Sequence, residues 1–187
     1  MENNEHIHPA DPAAASVLRL MASRQLLGHI HSWEIPPIAD QLLSSGFYSD
    51  AIFEISVAKD APMSDLAPLL GRALQENAVP WPTRQQAAWI VFRFYITRIA
   101  ESGESPITPL EHISQLVIEF DPEDRWLNVE TEFDLTDLIV VRWAFTERHD
   151  DYCEATNRTF ATKAEHHAAL DSLARQYSRE WLARHPE

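Results

Sequence analysis

Cysteine occurs once in the 187 residues, at Cys153. A single thiol excludes an intrachain disulfide framework, and no cysteine-based zinc site is expected. Glycine is almost as scarce, with four positions, too few for a Gly-rich sheet protein. Lysine is confined to Lys59 and Lys163, so arginine supplies the positive charge, a usage that reads as genomic base-composition bias. No apolar run reaches the roughly 18 residues that a membrane-crossing helix needs, because Arg93 and Arg98 interrupt the best candidate. The first residues, Met1-Glu2-Asn3-Asn4-Glu5-His6, are polar and acidic, unlike the basic start of a secretory signal. A cytoplasmic location is therefore expected.

Apolar and acidic residues dominate what remains. A hydrophobic fraction of 45% with 10% aromatics argues against disorder, and six tryptophans need a core to pack against. The length suits one domain able to bury a real core. The formal net charge is −14, which opposes nonspecific binding to nucleic acid, since that depends on neutralising phosphates. The same charge suits a basic partner and would steer the encounter; plain solubility accounts for it equally.

Capping residues and prolines punctuate the chain into helices. Residues 1–10 carry no periodic pattern and are expected to be a mobile tail, followed by a single helical domain over 11–187. Asp11-Pro12 pairs an N-cap with Pro at N1, and Val17, Leu20, Met21, Leu27 and Ile30 give the first amphipathic stripe. Pro36-Pro37 restarts the chain into a short helix that Gly46 can end. Ser49 or Asp50 caps a third, with Ile52, Phe53, Ile55 and Val57 buried. A fourth carries Leu66 to Leu74, with Asp65 as cap so that Pro68 falls in its first turn.

The stretch Trp81–Gly103 predicts a buried central helix over 82–102. Pro82 is placed at N1 and Gly103 at a C-cap with φ > 0, and apolar residues occupy most of its circumference. Arg93 lies on its polar strip, reaching water or an acidic neighbour. Thr108-Pro109-Leu110-Glu111 reads as a capping box opening the next helix, and Thr162-Lys163-Ala164-Glu165 as another opening the terminal one. Between them, Val129 to Leu135 alternates apolar and polar residues, as a short strand or extended loop would. A small extended segment near 126–145 is thus a possibility, although helix is favoured for Leu138–Phe145. Arg142, inside an apolar run, is costly to bury alone and is expected to pair with a carboxylate. The whole pattern predicts an all-α fold, an irregular multi-helix bundle or a short stack of helical hairpins.

Recognisable catalytic motifs are missing. There is no Gly-x-Ser-x-Gly, no His-Glu-x-x-His and no EF-hand register among the acids. His6-x-His8, His29-x-His31 and His166-His167 read as scattered histidines, since neighbours on a helix point apart. Cys153 lies near His149 and Asp151 in the chain, which does not establish a nucleophile and base. No catalytic residue, metal ligand or cofactor is assigned. The strongest candidate site is an acidic and aromatic stretch, Glu119, Asp121, Glu123, Asp124, Trp126, Glu130, Glu132, Phe133, Asp134 and Asp137. Aromatic anchors ringed by acids are what a basic partner recognises.

From Asp50 to Val117, about a third of the chain and without a catalytic motif, the order of features can be compared. A short apolar helix, Ala51-Ile52-Phe53-Glu54-Ile55, precedes a Leu-rich one. A proline-marked turn, a long aromatic helix and the restart Ile99-Ala100-Glu101-Ser102-Gly103-Glu104-Ser105-Pro106-Ile107-Thr108-Pro109-Leu110 follow. In this order the chain resembles small bacterial helical proteins of unassigned biochemical function, some of them described as toxin-immunity proteins. The resemblance implies a stoichiometric binder, and acidic immunity proteins commonly cover basic nuclease sites. The expected function is a non-enzymatic interaction domain that neutralises a toxin through the acidic-aromatic stretch. A small hydrolase or metal-dependent enzyme with converged His and Asp/Glu residues is the alternative, and a subunit of a homo-oligomer is a third.

Overall fold

Side chains and prolines that substitute for missing backbone partners set the helix starts. In the computed structural model, which describes residues 12–120 and 126–186, Pro12 opens α1 (Pro12–Leu26). The expected tail and the expected cap Asp11 lie outside the described residues. Nine α-helices and one 3₁₀ turn are the regular elements among the described residues, with one isolated antiparallel bridge between Cys153 and Arg158. The fold is all-α. No helix among them is long and apolar enough to cross a membrane. The chain divides into two units, Met1–Val91 and Phe92–Glu187, with the division inside the helix expected to centre a single domain.

The first unit stacks α1, a 3₁₀ turn (Ser32–Glu34), α2 (Ile35–Ser44), α3 (Asp50–Val57) and α4 (Met63–Glu76). α2 packs on α3, α3 on α4, and α4 on α1. Leu18, Met21, Ile35, Ile52, Ile55, Leu66, Leu70 and Leu74 are its largest buried apolar side chains. Ser49 caps α3 by accepting from the Ile52 N–H at 3.3 Å, and Glu76 of α4 accepts from the Ala51 N–H at 3.0 Å. The turn after α1 is locked by Arg24, which reaches the His29 carbonyl at 2.9 Å and Glu34 at 2.8 Å. Burial pushes the Glu34 carboxyl up, but the His31 N–H and the Arg24 guanidinium outweigh it and hold the group below its usual range.

The second unit holds the later part of α5 (Arg84–Glu101), then α6 (Ile107–Phe120), α7 (Trp126–Glu132), α8 (Thr136–Ala144) and α9 (Lys163–Arg184). Phe133 is at its centre. Its ring lies 5.0 Å from Phe92 and edge-on at 5.8 Å to Phe120. Its carbonyl accepts from the buried Trp181 indole N–H at 2.8 Å. Arg93 extends over the Trp181 ring, 5.7 Å from the centroid, and donates to the His185 carbonyl. The expected water or acidic partner is thus replaced by an aromatic face and a helix-end carbonyl.

Several helix ends depart from the expected ones for identifiable reasons. α5 starts at Arg84 because Thr83 and Gln86 form a reciprocal capping box, 3.2 Å from the Gln86 N–H to Thr83 Oγ1 and 2.9 Å from the Thr83 N–H to Gln86 Oε1; Pro82 precedes it. At the other end Gly103 is not among the residues with positive φ, which include Gly28 and Gly46. Arg175 of α9 takes over, donating to the carbonyls of Ile99, Ser102 and Glu104. A cation on the last carbonyls satisfies what a left-handed cap otherwise would. α6 begins at Ile107, so Thr108 lies inside it and Ser105 accepts from the Ile107 N–H at 3.4 Å. α4 begins at Met63, which moves Pro68 past the first turn onto an exposed face. At α9 the expected Thr162 N-cap holds in register, the Glu165 N–H donating to Thr162 Oγ1 at 3.2 Å.

The extended segment near 126–145 is helical instead. Val129 and Phe133, one turn apart, are both buried while Thr131 and Glu132 are exposed. The pair at i,i+4 therefore outweighs the accidental alternation. Asp134 adopts φ 55° after α7, and the Leu135 N–H returns to the Glu130 carbonyl at 2.8 Å.

Candidate functional site

α6 and α8 pack together, and α7 packs on both. On α6, Ser114, Val117 and Ile118 share a face at i, i+3 and i+4; on α8, Ile139 and Trp143 are one turn apart. These five residues line a groove of about 340 Å³, with Glu130 of α7 as its remaining lining residue. Ile118 and Trp143 stay 61% and 55% exposed, whereas Glu130 is only 5% exposed.

Glu130 is the electrostatic oddity of this unit. Among the described residues no hydrogen bond or ion pair reaches its carboxylate, and burial alone pushes its carboxyl above the usual range. An ionised carboxylate beside Val117, Ile139 and Trp143, in a groove with few other polar groups, gains from a cation that enters. Long apolar stems ending in a charge, as in Arg and Lys, fit such a lining.

The acidic-aromatic residues separate into several environments. Phe133 is fully buried and Glu130 nearly so; Phe133 is a core ring and leaves the expected contact surface, because α7 turns it inward with Val129. Glu119, Glu132 and Asp137 are exposed, and Glu119 accepts from Gln115 at 2.7 Å. Asp134 is exposed but engaged, 2.8 Å from both Arg184 Nε and Nη2 and 3.1 Å from His185 Nε2. Burial raises its carboxyl, yet the bonds from His185 and Arg184 prevail and hold it below its ordinary value. Asp121, Glu123 and Asp124 lie outside the described residues. Trp126 belongs to α7 by its backbone, and its side chain is likewise outside.

Ile118, Ile139 and Trp143 form the site without having been marked by sequence. The available signal was an aromatic inside the apolar run 138–145 that the helix period places off the buried face of Leu138 and Val141. Arg142 does not find the carboxylate expected for it. Its guanidinium lies 5.5 Å from the Trp143 centroid, and its buried Nε has no hydrogen-bond partner among the described residues.

A groove of about 460 Å³ in the first unit is lined by Arg19, Pro80, Trp81, Pro82, Gln86, Trp89 and Ile90, but Arg19 and Gln86 are exposed, so no buried polar group marks a ligand. His31 stacks on Trp33 at 5.8 Å, His29 uses its carbonyl to hold Arg24, and His6 and His8 lie outside the described residues. Cys153 is buried, while Asp151 is exposed. The thiol instead meets Glu147 and His166, the candidate ligand atoms of all three lying within 4.8 Å of one another. Burial holds the His166 imidazole below its ordinary pKa, and His167 and His149 add to that against the opposing pull of Glu147. Comparison with family models, curated proteins and solved structures finds no match to this chain.

Proposed function

We propose that the chain is a non-enzymatic interaction domain that binds a basic protein partner at the α6–α8 groove. A cationic side chain of the partner pairs with Glu130 there, and the surrounding acids steer it in. One observation carries this: a glutamate only 5% exposed as a residue, unpaired among the described residues and lining an apolar groove. Burying such a group unpaired destabilises a fold, so a binding role gives it a reason to be there. The net charge of −14 supports association by long-range attraction. A basic toxin domain is the partner that the family resemblance implies, with the chain as its cytoplasmic immunity protein.

The test uses the full chain as bait in extracts of its source cells, wild type beside Glu130→Gln and Trp143→Ala, followed by calorimetry on any retained protein. The expected result is a basic partner bound by wild type and at least tenfold more weakly by both variants, with association slowed by salt. A partner that binds all three chains equally, or one with an acidic contact surface, would refute the groove. Rescue of cells expressing that partner then separates a toxin from any other basic protein.

A further inference from the structure

Between α8 and α9 the chain runs from Phe145 to Thr162 without a helix. Connections this long in folded chains are uncommon and usually carry a function or are linkers. This one is tied to itself. The Cys153 N–H donates to the Arg158 carbonyl at 3.0 Å and the Arg158 N–H returns at 3.4 Å, while the Phe160 N–H reaches the His149 carbonyl at 3.0 Å. The folded-back loop buries Cys153 and Phe160. α9 delivers His166 from its first turn, fully buried, with its ring 4.9 Å from that of Phe160.

Neither ring nitrogen of His166 has a hydrogen-bond partner among the described residues. An imidazole always presents two polar nitrogens, and burying both unpaired is a strongly unfavourable arrangement. The Sγ of Cys153 and a carboxylate oxygen of Glu147 lie within 4.8 Å of one of those nitrogens and of each other. In a tetrahedral zinc site, bond lengths of roughly 2.0–2.3 Å put ligand atoms about 3.3–3.8 Å apart. Small side-chain rotations of the exposed Glu147 and of Cys153 against His166 would close the difference.

We infer that Glu147, Cys153 and His166 bind one zinc ion. The donor set selects it: a thiolate and an imidazole suit zinc, and they disfavour calcium and magnesium, which take oxygen. On binding, the Cys153 thiol loses its proton to solvent, the sulfur–zinc bond forms, and a lone pair of His166 is used by the metal. Three protein ligands leave one of zinc's four positions for a solvent or substrate oxygen. The ion clamps the connection to the start of α9, independently of the α6–α8 groove.

Cobalt(II) is the probe, added to the untagged full chain after reduction and removal of metal by chelator. The expected result is a near-ultraviolet thiolate-to-cobalt charge-transfer band that saturates at one equivalent and is abolished by one equivalent of zinc. Cys153→Ser, close to isosteric, should remove the band, and Glu147→Gln should weaken cobalt binding about tenfold or more. Circular dichroism confirms that each chain is folded. Histidines elsewhere, His6 and His8 included, bind cobalt without a thiolate band. No band in folded wild type with excess cobalt overturns the assignment, as does a band that persists in Cys153→Ser.

Discussion

Replacing Glu130 by glutamine should stabilise the protein at neutral pH while it weakens binding. Glu130 is 5% exposed as a residue and unpaired among the described residues, and leaving a buried polar group without a partner costs about 1–3 kcal/mol. Glutamine keeps the shape and removes the charge, but its amide still needs partners. A net gain of about 1–2 kcal/mol is expected on that basis, or about 2–4 °C in Tm per kcal/mol for a chain of this size. The pH dependence gives the sign. With the folded-state pKa raised above the usual value of 4.5, the native chain holds the Glu130 proton where the unfolded chain has lost it. Stability from this residue is therefore fully present below the usual value and falls as pH rises to the folded-state pKa. The advantage of Glu130→Gln over wild type should grow across that window and level off above it. Urea unfolding of both chains at a series of pH values, followed by tryptophan fluorescence, measures the difference, in which the other carboxylates cancel. A variant less stable than wild type at pH 7 would show that Glu130 has a stabilising partner, and a gap independent of pH would show that its pKa is not raised on folding.

Two further substitutions test how the second unit is tied together. Arg175→Met removes the guanidinium from the Ile99, Ser102 and Glu104 carbonyls. Water can replace the bonds at the exposed end, so a loss of about 1.5–3 kcal/mol is expected. Faster amide exchange in the last turn of α5 should accompany it, and unchanged stability would mean that solvent serves equally well. Asp134→Asn keeps a residue that tolerates φ 55° and removes the pairing with Arg184 and His185. Because Asp134 is about half exposed, the loss at pH 7 should stay below about 1 kcal/mol and shrink in high salt. Its pKa is lowered on folding, so this stability is present above the ordinary aspartate value and is lost as pH falls through the folded-state pKa. A wild type to variant difference that persists in acid would place the effect in the backbone turn.

Local signals located most helices and missed several of their ends. Ser49 and Thr162 cap where their side chains indicate, because an N-cap bond spans only three residues. Gly103 was expected to end α5 by its own φ, yet the cap comes from Arg175 on another helix, which nothing near Gly103 announces. The alternation at 129–135 fits a strand as well as a helix. Only the packing of Val129 and Phe133 against one core separates the two, because a period-2 pattern over so few residues also contains an i,i+4 pair.

The candidate sites divide the same way. Acid and aromatic residues in 119–137 were visible as a composition, but which of them faces solvent depends on the angle at which α7 lies against α6 and α8. That packing buries Phe133 and sets Glu130 in the groove beside the exposed Trp143. In the chain Cys153 has His149 and Asp151 as neighbours; folding brings it Glu147 and His166 instead, the latter 13 positions away in sequence. The sequence by itself determined an acidic, all-α chain and the helix starts capped by Ser49 and Thr162, since those depend on composition and short-range bonds. Tertiary structure alone decided which charges are unpaired and which ligands meet, because burial and convergence belong to contacts between segments far apart in the chain.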